Sequence, residues 1–276
     1  MSENPHIFVV VVDWNGASRS VECLRALAAV RHPPLRTILV DNGSDDPDAV
    51  PALASGRAVR TLRLERNLGF SGGSNAGIRL ACAEGADWIW LLNNDAEPAP
   101  DALAAMLETG RSDPRIGAVG SVLDESRDGH PTVVNGGGRV SFWTGLPRHQ
   151  QRPIEGDRLD YLRGASLLLR RSALDTVGWL DEGFFFYWED TDLCFRLRAA
   201  GWRLAVSEDA LVRHRGYGSL AFQSPMGDHH FTRSSVRFLR RHAPLPAWPI
   251  AISGCGRMLA RLLRGRWSNA RAVGRA

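Results

Sequence analysis

Residues 87–98 read DWIWLLNNDAEP. The apolar run from Trp88 to Leu92 has the length of a buried strand and is too short to cross a membrane. Asn93, Asn94 and Asp95 follow without a break, then Pro98 and a helical run from Asp101 to Glu108. Strands that release polar groups at their carboxyl ends, each followed by a helix, are how open α/β sheets build binding sites. One carboxylate among side-chain amides suits a hard cation such as Mg²⁺ or Mn²⁺, which takes few protein oxygens and fills its shell from phosphate and water. The same residues also suit a polar turn in which Asn and Asp cap a helix. Both readings stand at this point.

Upstream, the same unit recurs. Ile7 to Val12 (IFVVVV) is an apolar, mostly β-branched run suited to a buried parallel strand. It ends in Asp13-Trp14-Asn15-Gly16, and a helix is expected from about Ser18 to Ala29. Thr37 to Val40 is the next strand, ending in Asp41-Asn42-Gly43-Ser44, and Ala58 to Leu64 is a third. A glycine-rich loop from Asn67 to Asn75 then runs into a helix ending near Ala83. Strand and helix alternate at βαβ spacing, which predicts a doubly wound, mostly parallel sheet. Trp14 reads either as core or as a surface on which a base stacks, worth about 1–3 kcal/mol. Asp41 either caps the following turn or accepts a hydrogen bond from the imide N–H of uracil or thymine. The loop containing Asn67, Gly69 and Asn75 lacks the dinucleotide and P-loop spacings, yet its glycines allow backbone to approach a diphosphate closely.

Beyond residue 100 the alternation loosens. Asn135 to Val140 (NGGGRV) and the Pro- and Arg-rich stretch to about Asp157 read as loop or hairpin. Leu167 to Leu169 is a strand, with a helix starting at Ser172. The aromatic run Phe184 to Trp188 leads into Glu189-Asp190-Thr191-Asp192, opening a helix that ends near Gly201. Acidic residues in a first helical turn complement the dipole. A carboxylate behind an aromatic wall is also placed for desolvation and general-base work. His214, on the strand-like Ala210 to Arg215, reads either as a half-buried histidine or as a ligand for a borderline metal such as Mn²⁺.

Length and charge bound these readings. At 276 residues and 44% hydrophobic, the chain fits one large domain or one domain with an appendage. Cys23, Cys82, Cys194 and Cys255 are scattered; with no secretory signal pattern, this predicts a cytosolic protein without disulfides or structural zinc. No acidic residue follows Asp228, whereas ten arginines do, so the body is net acidic and the tail basic. Met258, Leu259, Leu262, Leu263 and Trp267 fall on one helical face, with Arg257, Arg261, Arg264 and Ser268 opposite. That predicts an interfacial helix docking on an anionic membrane, each Arg contributing about 1 kcal/mol. The competing reading is a helix packed on the body's own negative charge. Nucleic acid is disfavoured, because an acidic body repels phosphate and no recognition module is visible.

Taken together, VVVDWNG, ILVDNGSDD, NLGFSGGSNAGI, WLLNNDAEP, GASLLLRRSALDTVGWLDEGFFFYWEDTDLCFRLRAAGW and VRHRGYGS resemble, in order and character, the family-two inverting glycosyltransferases, nearest the bacterial rhamnosyltransferase branch. The resemblance covers about Phe8 to Arg241. It implies a GT-A fold: an α/β, doubly wound, mostly parallel sheet with an acceptor-side α+β half and a basic C-terminal helical tail. The expected organisation is a domain over 1–230, with a nucleotide-sugar half (1–100) and an acceptor and catalytic half (101–230), then a basic tail over 231–276. It also implies a dTDP- or UDP-sugar donor, Mg²⁺ or Mn²⁺, a glycan or polyprenyl-linked acceptor, and a cytoplasmic location peripheral to the inner face of the cell membrane. By position, Trp14 and Asp41 would hold the base, while Asn67, Gly69, Asn75, Asn93 and Asn94 would line the donor pocket. Asp95 matches the metal-binding carboxylate of a DxD-type motif, His214 the histidine that completes the metal site, and Asp190 the catalytic base. Glu189 and Asp192 are then structural or acceptor-facing. One departure is Asn93 at the first acidic position, which implies a looser metal site. Rhamnose from dTDP-rhamnose leads the donors, with galactofuranose, glucose and N-acetylhexosamine as rivals. A non-catalytic nucleotide-sugar- or glycan-binding assembly protein is the alternative class.

Overall fold

The computed structural model describes residues 5–31, 35–54, 58–126, 132–149, 159–216 and 224–276. The first half runs β1 (Ile7–Asp13), α1 (Ala17–Ala28), β2 (Leu35–Asp41), α2 (Ala49–Ala54), β3 (Val59–Arg63), α3 (Gly69–Ala83), β4 (Trp88–Asn93), β5 (Ala96–Pro98) and α4 (Ala102–Ser112). It continues with β6 (Ile116–Asp124), β7 (Val133–Asn135), β8 (Gly137–Ser141), β9 (Leu146–His149), β10 (Tyr161–Leu162), β11 (Ser166–Arg170), α5 (Arg171–Val177), α6 (Glu189–Ala199) and β12 (Arg203–His214). Three helices follow: α7 (Pro225–His242), α8 (Ala247–Leu263) and α9 (Trp267–Gly274).

The main sheet has the order β3-β2-β1-β4-β11-β6-β12-β5, with β7 paired to β6. β3, β2, β1 and β4 are mutually parallel, β11 runs antiparallel between β4 and β6, and β12 is parallel to β6. The expected mostly parallel α/β sheet is therefore present. Alternation along each strand builds two core layers: Phe8, Val10, Ile89 and Leu91 face one way, and Ile7, Val9, Trp88 and Trp90 the other. The glycine-rich stretch over 135–140 forms β8 and its neighbours in a small sheet of order β10-β8-β9, as a hairpin reading required. The Pro- and Arg-rich segment 150–158 and Tyr217 to Ser219 lie outside the described residues.

Three features differ from the sequence reading. The glycine-rich segment is helical from Gly69 onward. Gly69, Gly73 and Gly77 are four residues apart, and a Cβ on Gly77 would stand 2.3 Å from a Val10 methyl. Gly73, against Val12, and Gly77, against Val10, bring α3 close to β1. Next, β12 begins at Arg203, well before Ala210, because an irregularity between Ser207 and Leu211 lets polar Glu208 and Asp209 bulge from the ladder.

The third difference is the tail. α7 buries Phe238 and Leu239 in the core. The continuous helix expected through Trp267 stops at Leu263, Gly265 adopts φ +67°, and Trp267 opens α9. Arg257 and Arg261 are not free for a membrane: both turn inward to Asp228, at 2.7 and 2.8 Å. For these two arginines, packing against the body's negative charge is what the structure contains.

Gly69 has φ +74°, and a Cβ there would lie 2.2 Å from the Phe185 carbonyl oxygen. Gly69→Ala therefore combines left-handed strain with a backbone clash. It is expected to destabilise the fold by about 2 kcal/mol or more, read as a fall in Tm of roughly 5 °C; an unchanged melting curve would contradict this packing.

Candidate active site

The carboxyl ends of β1, β2 and β4 open on a cleft lined by Trp14, Asn42, Asn67, Gly69, Asn93, Asn94 and Asp95, together with Phe185 and Phe186. This is the edge where parallel sheets bind ligands.

At one end stand Asp95 and His214. Asp95 follows β4 and His214 closes β12, so the sheet brings together residues 119 positions apart; His214 Nε2 lies 3.4 Å from Asp95 Oδ1. Nε2 also lies 3.3 Å from the Asn93 amide nitrogen, while Nδ1 meets Glu125 Oε1 at 3.0 Å. Glu125 in turn takes an ion pair from Arg163 at 2.7 Å. Burial presses His214 toward its neutral form, but the bonds to Asp95 and Glu125 outweigh it and leave its pKa raised. Burial likewise opposes ionisation of Glu125, yet His214 and Arg163 hold its carboxyl down at about 2.

These groups fit a divalent cation. Octahedral ligands about 2.1 Å from an ion lie about 3 Å apart, close to the Asp95–His214 separation. A carboxylate on the far nitrogen of a ligating histidine fixes the ring for coordination. Among the described residues no three His, Cys, Asp or Glu side chains gather as a complete metal cage. A cation here would take the rest of its shell from a ligand such as a diphosphate.

Asp190 is not among the residues that line the cleft; it is held by the segment that precedes β11 and by its own helix start. Its Oδ2 accepts from the Gly164 N–H at 2.7 Å, and its Oδ1 accepts from the Thr191 N–H at 2.6 Å and hydroxyl at 3.1 Å. Burial raises its pKa despite these bonds. Glu189 beside it is pushed well above the usual carboxylate range by burial and by the Asp190 charge. Burial raises both carboxyls, and of the two it is Asp190 that gains hydrogen bonds from Gly164 and Thr191 favouring its ionised form. The preceding Tyr187 and Trp188 have φ +68° and +70°, a strained pair of left-handed residues. The aromatic loop is clamped at three successive carbonyls. Phe184 accepts from the Ser71 hydroxyl (2.6 Å), Phe185 from the Phe70 N–H (2.8 Å), and Phe186 from the Ser234 hydroxyl (2.9 Å).

The remaining candidates divide. Trp14, Asn67, Gly69 and Asn93 face the cleft. Asn94 reaches its rim, but the amide donates to Asp13 (2.9 Å) and Ser20 (3.2 Å), tying β4 to α1. Asp41 is buried at the end of β2 and is not among the lining residues; it pairs with Arg63 and accepts from the Ser44 N–H. Asn75 bonds Leu180 and Glu182 and anchors the aromatic loop. Asp192 is fully buried between Arg196 and His242, both at 2.8 Å. Sequence reading misses Asn42, which holds Asn67, Leu68 and Gly69 in place. It also misses Glu125, at the carboxyl end of β6. The rule that marks Asp95 applies to Glu125, but Gly117 and Gly120 dilute the β6 strand signal.

Comparison with known proteins identifies the family and the fold. Residues 5–225 match the family described as "Glycosyltransferase like family 2". The N-acetylglucosaminyl-diphospho-decaprenol L-rhamnosyltransferase of Mycobacterium tuberculosis is 31% identical over 230 residues, covering 75% of each chain. A galactofuranosyltransferase of the same organism is 37% identical over 105 residues, 37% of this chain and 34% of that one. Among solved structures, a mannosyltransferase from Pyrobaculum calidifontis in complex with GDP-Man and Mn²⁺ superposes with TM-score 0.64 at 20% identity, over 99% of this chain and 74% of that one. GalNAc-T7 with UDP, GalNAc and Mn²⁺ gives TM-score 0.64 at 15% identity, over 78% and 44%. These two speak for the fold, and the sequence matches carry the family: this chain belongs to the family-two glycosyltransferases.

Proposed function

We propose that the chain transfers a sugar with inversion from a nucleoside-diphosphate donor to a hydroxyl of a lipid-linked or cell-surface bacterial glycan, with dTDP-rhamnose as the first donor. The observation that carries this reading is Asp190, a buried carboxylate fixed by Thr191 and by Gly164, the residue next to the Arg163 that links Glu125 and His214 to Asp95. The sugar and acceptor classes are supported by the 31% identical L-rhamnosyltransferase, whose acceptor is a diphospho-decaprenol. An acceptor of that class is membrane-borne, so a peripheral position at the inner face of the cell membrane is part of the proposal. The partial match to a galactofuranosyltransferase keeps galactofuranose as the second donor.

In this displacement Asp190 takes the proton of the acceptor hydroxyl as its oxygen bonds to the anomeric carbon, and the bond from that carbon to the donor diphosphate breaks. Burial keeps the carboxylate more basic than an exposed one. Trp14 lies where it can stack on the base, and Phe185 and Phe186 wall the cleft. A divalent cation, Mn²⁺ or Mg²⁺, on Asp95 and His214 would supply neutralisation of charge on the departing diphosphate. With that leaving group, no second carboxyl is needed to protonate an oxygen.

Nucleoside diphosphate release across dTDP-rhamnose, UDP-galactofuranose, UDP-glucose, UDP-galactose and UDP-N-acetylglucosamine is the direct test. Turnover with dTDP-rhamnose that EDTA abolishes is expected, and silence on the whole panel would refute the proposal. Asp190→Asn should lower kcat by about 10²–10⁴-fold with donor Kd nearly unchanged; retained turnover would remove Asp190 as base. A base works only when ionised, so the raised pKa of Asp190 places the acid limb of kcat/KM above the ordinary Asp value of about 3.9, with activity lost as pH falls through it. Glu125→Gln should weaken Mn²⁺ activation by about 10–100-fold through His214, and an unaltered metal titration would dissociate Glu125 from the metal site.

A further inference from the structure

α8 is amphipathic the wrong way round for a helix that only packs on its own protein. Its buried positions are Pro249, Ser253 and Arg261. Leu245, Trp248, Ile252, Cys255, Leu259 and Leu263, spaced by three and four residues, form an outward apolar row. Leu259 is 57% exposed and Leu263 79%, whereas Arg261 between them is 8% exposed. Asp228 on α7 enforces this orientation. It accepts from Arg257 (2.7 Å), from Arg261 (2.8 and 2.9 Å) and from Asn269 of α9 (2.7 Å). Turning α8 by half a turn would hide the apolar row, but it would strip a buried carboxylate of its cations.

We propose that this outward row of α8 is a docking surface for an anionic lipid bilayer, on which the helix lies flat. Three observations select that occupant. Trp143 stacks edge-on against Trp248 at 5.8 Å, and both rings are exposed, as is Trp267; indole rings of this kind favour the headgroup boundary. Arg264, next to Leu263 at the end of the row, is exposed, as are Arg271 and Arg275 of the adjoining α9, and no Asp or Glu follows Asp228 to offset them. A second copy is disfavoured by the same rim, since an isologous contact would set arginines against arginines. Among the described residues no helix is long and apolar enough to cross a membrane, so the surface lies on the bilayer.

The surface also connects to the cleft. α7 carries Asp228 toward α8 and Ser234 toward the carbonyl of Phe186, a cleft residue. Docking through α8 would thus hold the cleft at a fixed attitude to the bilayer. This last point rests on the lipid-linked acceptor proposed above; the surface itself does not.

The test is flotation of the full chain with vesicles of phosphatidylcholine containing 30% phosphatidylglycerol, in parallel with nucleoside diphosphate release to a water-soluble acceptor. The chain is expected to float with these vesicles, and Leu259→Glu/Leu263→Glu to float at least tenfold less with unchanged Tm and release. Trp248→Ser serves as a second variant should the double change fail to fold, with a several-fold loss expected. The proposal is overturned if the wild-type chain stays in the soluble fraction at low salt. It is equally overturned if both folded variants float like wild type, or if they shift a dimer to monomer without altering flotation. Because release is read separately, loss of docking with intact turnover, or the reverse, distinguishes this surface from the transferase reading.

Discussion

The three residues Arg163-Gly164-Ala165 are the constraint on which the rest of the site depends. They lead into β11, the strand that runs antiparallel between β4 and β6. The Ala165 carbonyl accepts from the Asn93 N–H at the end of β4, the Gly164 N–H grips Asp190, and the Arg163 guanidinium holds Glu125 behind His214. The Asp95–His214 pair and Asp190 are therefore positioned by consecutive residues of one backbone segment. A side chain at Gly164 would bring its Cβ to 3.3 Å from Asp190 Oδ2, so the segment sits as close as it can. Antiparallel insertion of β11 is what makes this possible, because it delivers the segment to the carboxyl edge of its parallel neighbours.

A second constraint supports the first. Asp190 is the second residue of α6, which begins directly after two residues in the left-handed region, a conformation that costs of order 1–3 kcal/mol per residue. Three carbonyl clamps from α3, its entry and α7 offset that strain, and Gly69 permits the closest of these approaches. The aromatic loop is thus rigid where it meets the cleft. α7 contributes to both ends of the molecule, since it clamps Phe186 and, through Asp228, fixes the rotation of α8.

Much of the first half was legible in the sequence. A run such as Ile7 to Val12, ending in polar residues, has few alternatives to a buried parallel strand, and Trp88 to Leu92 is of the same kind. Asp95 and His214 were legible as candidates, yet only the pairing of β12 with β6 and β5 brings them within 3.4 Å. Glycines misled twice. Those of α3 read as a loop because propensity does not register packing against a sheet, although their spacing of four was visible. Those of β6 masked a strand, and with it Glu125. Of the apolar face read from sequence, Leu259 and Leu263 recur in the outward row of α8 while Trp267 belongs to α9, and whether Arg257 and Arg261 look out or in depends on Asp228, some thirty residues earlier in the chain. Asp41, Asn75 and Asn94 hold the Ser44 N–H, the Leu180 N–H and the Asp13 carboxylate, contacts that a polar residue at a strand end or in a helix does not reveal in sequence.

The central claim is that one carboxylate acts on the acceptor while the donor diphosphate leaves from the opposite side of the anomeric carbon. The most direct measurement is the anomeric configuration of the first-formed product, read by NMR from the coupling at C1 under single-turnover conditions. A single in-line displacement predicts a configuration opposite to that of the donor. Retention would require a covalent or front-face route, and it would contradict the assignment of Asp190 as a base.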